Sequence, residues 1–79
     1  MTPDQRAAEV RAFEAAAKLK LGTWESVESA AILALACPSN GESQRLLASA
    51  GTAAEGLKAG NWESVRALAW LAKARRELG

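Results

Sequence analysis

Few side chains in this sequence could do covalent or metal chemistry. Cys37 is the only cysteine, and the sequence has no histidine and no tyrosine. A catalytic thiol needs a base and a low pKa, and a zinc site needs several thiolate or imidazole ligands. We therefore expect Cys37 to be a small buried hydrophobic residue, without an internal disulfide. We predict no catalytic residue, no cofactor and no metal ligand, and a protein that is not an enzyme.

Phosphate binding is the other chemistry that the residue types allow. Lys73, Arg75 and Arg76 lie close together near the end of the sequence, and clustered cations can contact nucleic acid. The net charge is only +1, which gives little general attraction to nucleic acid or anionic membranes. Cations also stabilise the negative end of a helix dipole. A small nucleic-acid-associated regulator is therefore our alternative hypothesis.

An internal duplication positions these residues. The tetrapeptide Trp-Glu-Ser-Val occurs at residues 24–27 and again 38 residues later, at residues 62–65. Gly22 precedes the first copy and Gly60 the second. Glycine commonly ends a helix in a left-handed conformation, and Thr23 and Asn61 are residue types that cap the next helix. Each copy therefore predicts two helices joined by a very short turn, which makes them antiparallel.

Size and composition agree with this prediction. At 79 residues and 8.3 kDa the chain holds one core. Hydrophobic residues make up 49% of it but aromatic residues only 5%, and alanine, the best helix former, fills the difference. The predicted fold is all-α, with four antiparallel helices built as two duplicated αα-hairpins, either as a four-helix bundle or as a short array. We expect one domain, 1–79, with repeat one at 3–37 and repeat two at 41–78.

The helices are predicted at about 3–21, 24–37 and 62–78, with the third helix running to about residue 59. Thr2 should cap the first with help from Gln5, and Ser39 or Ser43 the third. Residues 30–37 are apolar on every side, so they should lie at the centre of the fold. The first helix has two apolar stripes, which suggests contacts beyond its hairpin partner: Val10, Phe13, Ala17 and Leu21, and opposite them Ala8, Ala12, Ala15 and Leu19. The expected buried face of the last helix is Val65, Leu68, Ala69 and Ala72.

The tryptophans and their neighbours are the candidate binding residues. Trp24 and Trp62 begin their helices, where each should pack across its own hairpin, with an aromatic ligand pair as the alternative. Trp70 aligns with Ile32 in the duplication. If a pseudo-twofold axis relates the halves, both point outward, and large outward apolar residues indicate interfaces. We predict that Ile32, Leu35 and Trp70 bind a partner or a second subunit. The alternative is that Ile32 and Trp70 meet inside the core.

Each hairpin resembles a tetratricopeptide-type unit. The residues that carry the resemblance are Gly22-Thr23-Trp24-Glu25, Ala34 and Pro38 in the first copy, and Gly60-Asn61-Trp62-Glu63 and Ala72 in the second. That family repeats about every 34 residues, whereas this chain repeats every 38. The resemblance implies helical-hairpin geometry and a module that binds peptides or proteins.

These observations predict a non-enzymatic module for protein binding or self-association, with a homodimer as the expected assembly. The longest apolar run, residues 30–38, is too short to span a bilayer, so we expect no membrane partner. The first residues carry charges but no apolar run behind them, so we expect no signal peptide and a cytoplasmic location.

Overall fold

A computed structural model describes residues 2–79. Within them the chain forms four helices, α1 (Pro3–Ala17), α2 (Trp24–Ala36), α3 (Gly41–Ala54) and α4 (Trp62–Leu78). No strand occurs in these residues. The helices pack against one another, so the all-α prediction is confirmed.

The caps and turns repeat with the sequence. Thr2 and Gln5 form the predicted capping box, in which the backbone N–H of Gln5 donates to Thr2 Oγ1 over 3.1 Å. Thr23 and Asn61 cap α2 and α4, each accepting a hydrogen bond from the backbone N–H three residues on. Gly22 and Gly60 have φ angles of +87° and +98°, which L-residues with a side chain rarely adopt. The left-handed glycines and both caps are as predicted. The connections are longer than the very short turns expected, because α1 already ends at Ala17 and α3 at Ala54.

Three helix boundaries differ from the prediction. α1 ends at Ala17 and α3 at Ala54, each several residues earlier than expected. Backbone N–H groups just beyond both ends bond to the carbonyl three residues back, as in a 3₁₀ turn. This tightening lets the chain leave the helix before its apolar pattern ends. The cap of α3 is Asn40, and Ser43 is instead buried with its hydroxyl donating to the Cys37 carbonyl.

Helix α2 lies at the centre, but its apolar segment 30–37 is covered on one face only. Ala30, Ala31 and Ala34 are buried, whereas Ile32 and Ala36 are exposed. The helix packs mainly against α3 and α4, while the contacts within each hairpin, α1 with α2 and α3 with α4, are smaller. The buried core consists of small and medium side chains from three helices: Val27, Ala30, Ala31 and Ala34 of α2, Leu47 and Ala50 of α3, and Ala67, Leu71 and Ala74 of α4. So many alanines bring the helix axes close together.

Two predicted faces are wrong. Val65 is 62% exposed and Leu68 44% exposed, and Ala69 and Ala72 are exposed beside them. α4 instead buries Ser64, Ala67, Leu71 and Ala74. No residue of α1 is buried either, and its expected stripe leaves Val10 and Leu21 exposed. In helices rich in alanine several faces are apolar, so periodicity does not identify the one that a neighbour covers.

Candidate interaction surfaces

The two repeats present the same side chains to different surroundings. One face of α2 is buried and consists of Val27, Ala30, Ala31 and Ala34. Trp24 lies beside this face and is half-buried against the core. The equivalent residues of α4 are all exposed, and we call them the outer face of α4: Trp62, Val65, Leu68, Ala69 and Ala72. Trp62 and Val65 are each 62% exposed. No helix in residues 2–79 packs over this apolar strip, and the Arg66 guanidinium lies against the Trp62 ring.

A second apolar surface belongs to the first hairpin. It is a groove of about 340 Å³ between α1 and α2. We call it the N-terminal groove, and its lining is Ala12, Ala15, Ala16, Leu19, Ser29, Ile32 and Leu33. Ser29 is the polar residue of this lining, and Ile32 is 39% exposed.

The same groove exists in the second repeat, where it is filled. Its lining, 38 residues further on, is Ala50, Ala53, Ala54, Leu57, Ala67, Trp70 and Leu71. All seven belong to the core cluster or pack against it. Because α2 packs on both α3 and α4, the buried face of α2 occupies this second groove.

This arrangement excludes a pseudo-twofold axis between the repeats. A twofold axis would give equivalent residues equal burial, yet Val27 is fully buried and Val65 exposed. The repeats are instead related head to tail, with the second groove placed on the first repeat's helical face. Each repeat therefore has one groove and one complementary face.

An ion pair joins the repeats at equivalent positions. Arg66 and Glu28 are 38 residues apart, and the guanidinium donates two hydrogen bonds to the carboxylate, of which Nη2 to Oε2 measures 3.1 Å. The Arg66 guanidinium also lies 5.1 Å from the Trp24 ring centroid and 4.4 Å from that of Trp62. Both tryptophans thus contact a residue at the junction of the repeats, where cation–π attraction contributes about 0.5–1 kcal/mol at exposed sites.

The partner-binding residues predicted from the sequence have two different surroundings. Ile32 lines the N-terminal groove. Leu35 and Trp70 are half-buried and pack against the core, and the Lys73 ammonium lies 5.9 Å from the Trp70 ring centroid. Sequence reasoning missed Trp62, Val65 and Leu68 as surface residues. The signal that could have revealed them is the duplication itself. When two repeats stack head to tail, the second repeat covers the face of the first, and no third repeat covers the face of the second.

The basic residues near the end of α4 are spread over its surface. Arg75 reaches across to α3, where its guanidinium occupies the space that a side chain at Gly51 would need. The close approach of the Arg75 side chain therefore explains why residue 51 has no side chain. Lys73 and Arg76 are exposed, and among residues 2–79 none of the three cations forms an ion pair.

Cys37 is half-buried at the C-terminal end of α2. Partial burial raises the pKa of its thiol, and the charge of Glu9 and a hydrogen bond with that carboxylate raise it further. The thiol is therefore protonated at neutral pH, and the reactive thiolate is disfavoured. Among residues 2–79 no group of three or more acidic, cysteine or histidine side chains is placed to hold a metal ion.

None of the helices in the described part of the chain combines the length and apolar character needed to cross a bilayer. A scan against protein-family models and searches of curated proteins and of solved structures found no match. The function must therefore be argued from the two apolar surfaces themselves.

Proposed function

We propose that this chain is a non-enzymatic helical interaction module, which acts by docking an apolar helix face onto a protein, either a different chain or another copy of itself. The observation that carries the proposal is the exposed outer face of α4. Contiguous apolar side chains on a surface mark interaction sites. The equivalent residues on α2 are covered by helices in this same fold, so the face has a geometry that helices can cover.

Energetics support reversible binding. Burying a valine or leucine side chain stabilises a complex by about 1.5–3 kcal/mol, and a tryptophan buries more area. Association costs at least about 4 kcal/mol of lost translational and rotational freedom. Trp62 and Val65 are 62% exposed and Leu68 44%, so docking buries only part of each side chain and the total gain is close to that minimum cost. The expected complex is therefore weak when the outer face acts alone, and tighter when further residues join it.

The resemblance to tetratricopeptide-type hairpins supports the same proposal, because it implies a module that binds peptides or proteins. The N-terminal groove suits this function too, since an amphipathic helix can bind by laying its apolar face into such a groove.

Site-specific photo-cross-linking tests the proposal. A benzophenone amino acid replaces Val65 on the outer face, and the control replaces Arg45, whose side chain is 78% exposed on α3. After irradiation in cells that produce the protein, we expect protein adducts from position 65 and few from position 45. Mass spectrometry distinguishes an adduct with another copy from one with a different protein. Equal labelling from both positions, or none from position 65, would overturn the proposal.

The alternative function is nucleic-acid binding through Lys73, Arg75 and Arg76, and it is favoured by the absence of ion pairs at these residues within the described chain. The net charge of +1 weighs against it. A gel shift at low salt that disappears in the double variant Arg75→Ala/Arg76→Ala would support it. No shift in the parent protein would remove it.

A further inference from the structure

We infer that the outer face of α4 binds the N-terminal groove of a second copy of this chain, head to tail. The inference rests on the proposed function and names its partner. Its basis is that the molecule already contains this complex once. The buried face of α2 occupies the groove of the second repeat, and the equivalent face and the equivalent groove are both open.

Most residues of the two faces are retained. Val27, Ala31 and Ala34 of α2 correspond to Val65, Ala69 and Ala72 of α4, with identical residue types, and Ala30 corresponds to the larger Leu68. The neighbouring tryptophans, Trp24 and Trp62, are also identical.

The groove is retained in the same way. Five of its lining positions have the same residue in both repeats, namely Ala12, Ala15, Ala16, Leu19 and Leu33, which match Ala50, Ala53, Ala54, Leu57 and Leu71. The other two positions exchange Trp70 for Ile32 and Ala67 for Ser29. The small residues that let α2 approach α3 are therefore present on α1, and an incoming helix can come equally close.

Charges are complementary in this docking. Inside one chain, Glu28 of the first repeat meets Arg66 of the second. In a head-to-tail pair, Arg66 of one copy takes the position of Glu28, and Glu28 of the other copy takes the position of Arg66. Opposite charges would therefore meet again. Within one chain the Arg66 side chain is 39% exposed and that of Glu28 15%, and the two are already paired with each other, so a second copy would join an existing ion pair.

A second pair of positions changes from apolar to charged. Leu35 and Leu47 belong to or pack against the core cluster, and their counterparts on the open surfaces are Lys73 and Glu9. Leu46 and Leu78 also pack against the core, and their counterparts are the smaller or more polar Ala8 and Asn40. The two new charges have opposite signs and lie on opposite partners. Such a change keeps the docking compatible and makes it more polar, which suits a contact that must open and close in water.

Head-to-tail docking does not close on itself. A contact between two different surfaces leaves one free groove and one free face on every assembly, so further copies can add unless the rotation closes a ring. We therefore expect the assembly to grow with concentration beyond the dimer. A twofold homodimer through the α4 face alone would stop at two copies.

Two single-surface variants and their mixture test this inference by sedimentation velocity. Val65→Glu blocks the outer face, and Ala15→Glu blocks the groove. Both positions are exposed in one chain, so each variant should fold. Ala48→Glu puts the same charge on an exposed position of α3 outside both surfaces, and it is the matched control.

We expect the parent and Ala48→Glu to grow in mass with concentration, from micromolar to millimolar, while each blocked variant stays monomeric. An equal mixture of the two blocked variants should form a dimer and nothing larger, because the intact face of one variant fits the intact groove of the other. Circular dichroism confirms that each variant is folded. If either is not, Val65→Ser and Ala15→Gln replace them.

Three results would overturn the inference. A monomeric parent at all concentrations removes self-docking, and an Ala15→Glu protein that still forms dimers indicates a symmetric contact through α4. If the two blocked variants do not combine into a dimer, the face of one copy does not bind the groove of another, and the inference fails. None of these results removes the proposed function, since cross-links from position 65 to a different protein would leave it standing.

Discussion

Helices α2 and α4 begin with the same four residues after the same kind of turn, yet they occupy different environments. Val27 is fully buried, and Val65, its counterpart, is 62% exposed. α2 has neighbours on two sides, because α1 lies on one side and the second repeat lies on the other. α4 has neighbours on one side only within the described chain. The comparison teaches that the tertiary neighbour decides burial when two helices share the same local sequence.

The largest expected effect comes from placing a charge at the two equivalent valines. Val27→Asp should unfold the protein, because an unpaired carboxylate buried in an alanine-rich core costs more than about 4 kcal/mol, and a small domain has only a few to lose. Val65→Asp should leave the monomer folded. Thermal unfolding followed by circular dichroism measures both at a concentration where the parent is monomeric. Similar melting curves for the two variants would remove the distinction between inner and outer faces.

Truncating the two equivalent groove leucines should again destabilise the second-groove position more than the open one, although the difference is smaller than for the valines. Leu71 is buried in the filled groove, so Leu71→Ala should lower the free energy of unfolding by about 2–5 kcal/mol. Leu33 lines the open groove and is half-buried, so Leu33→Ala should cost about 1 kcal/mol or less in the monomer. Urea unfolding gives both values. A larger loss for Leu33→Ala would mean that α1 is held more firmly than its exposure indicates.

Substituting the two turn glycines should destabilise the protein equally, in contrast to substitutions on the two equivalent faces. Gly22 and Gly60 have similar positive φ angles, and no atom lies within 4 Å of an added side-chain carbon at either position. Alanine at each should therefore destabilise by about 1 kcal/mol through backbone strain alone. Urea unfolding of Gly22→Ala and Gly60→Ala measures this. Unequal losses would show that the two hairpins differ in their turns as well as in their neighbours.

The smallest effect is expected at the ion pair between the repeats. Glu28→Ala should destabilise by roughly 1 kcal/mol or less, because the Arg66 side chain remains 39% exposed and water screens the pair. Arg66→Lys retains the charge but loses the paired hydrogen bonds and the flat contact with the indole rings, and should cost a similar amount. A double-mutant cycle measures the coupling between the two residues. Zero coupling would mean that the pair follows from the packing of the repeats and adds nothing to it.

The local features of the fold were predictable from the sequence. Thr2, Thr23 and Asn61 act through their own side chains on the next turn of backbone, and Gly22 and Gly60 act through their own φ angles. Such effects depend on a few neighbouring residues, so sequence reasoning identified these three caps, the two left-handed glycines and the four helices. The exception is the cap of α3, where three polar residues, Ser39, Asn40 and Ser43, competed for the position.

Predictions that depended on distant neighbours were less successful. The periodic pattern of α4 includes both Val65–Leu68 and Ala67–Leu71 as apolar pairs, and nothing local distinguishes the pair that α2 covers. The early ends of α1 and α3 have the same cause, since Leu19 and Leu57 continue the helical pattern but lie in the turn that follows. The outer face of α4 was overlooked because its residues were assigned to the core.

The opposite signs of Glu28 and Arg66 give the molecule a direction. Two hairpins with the same residue at this position would set like charges against each other at their junction. A carboxylate in the first hairpin and a guanidinium in the second remove that repulsion and make the two hairpins chemically different at this position. A chain of such molecules would carry the same polarity from one end to the other, with two chemically different ends.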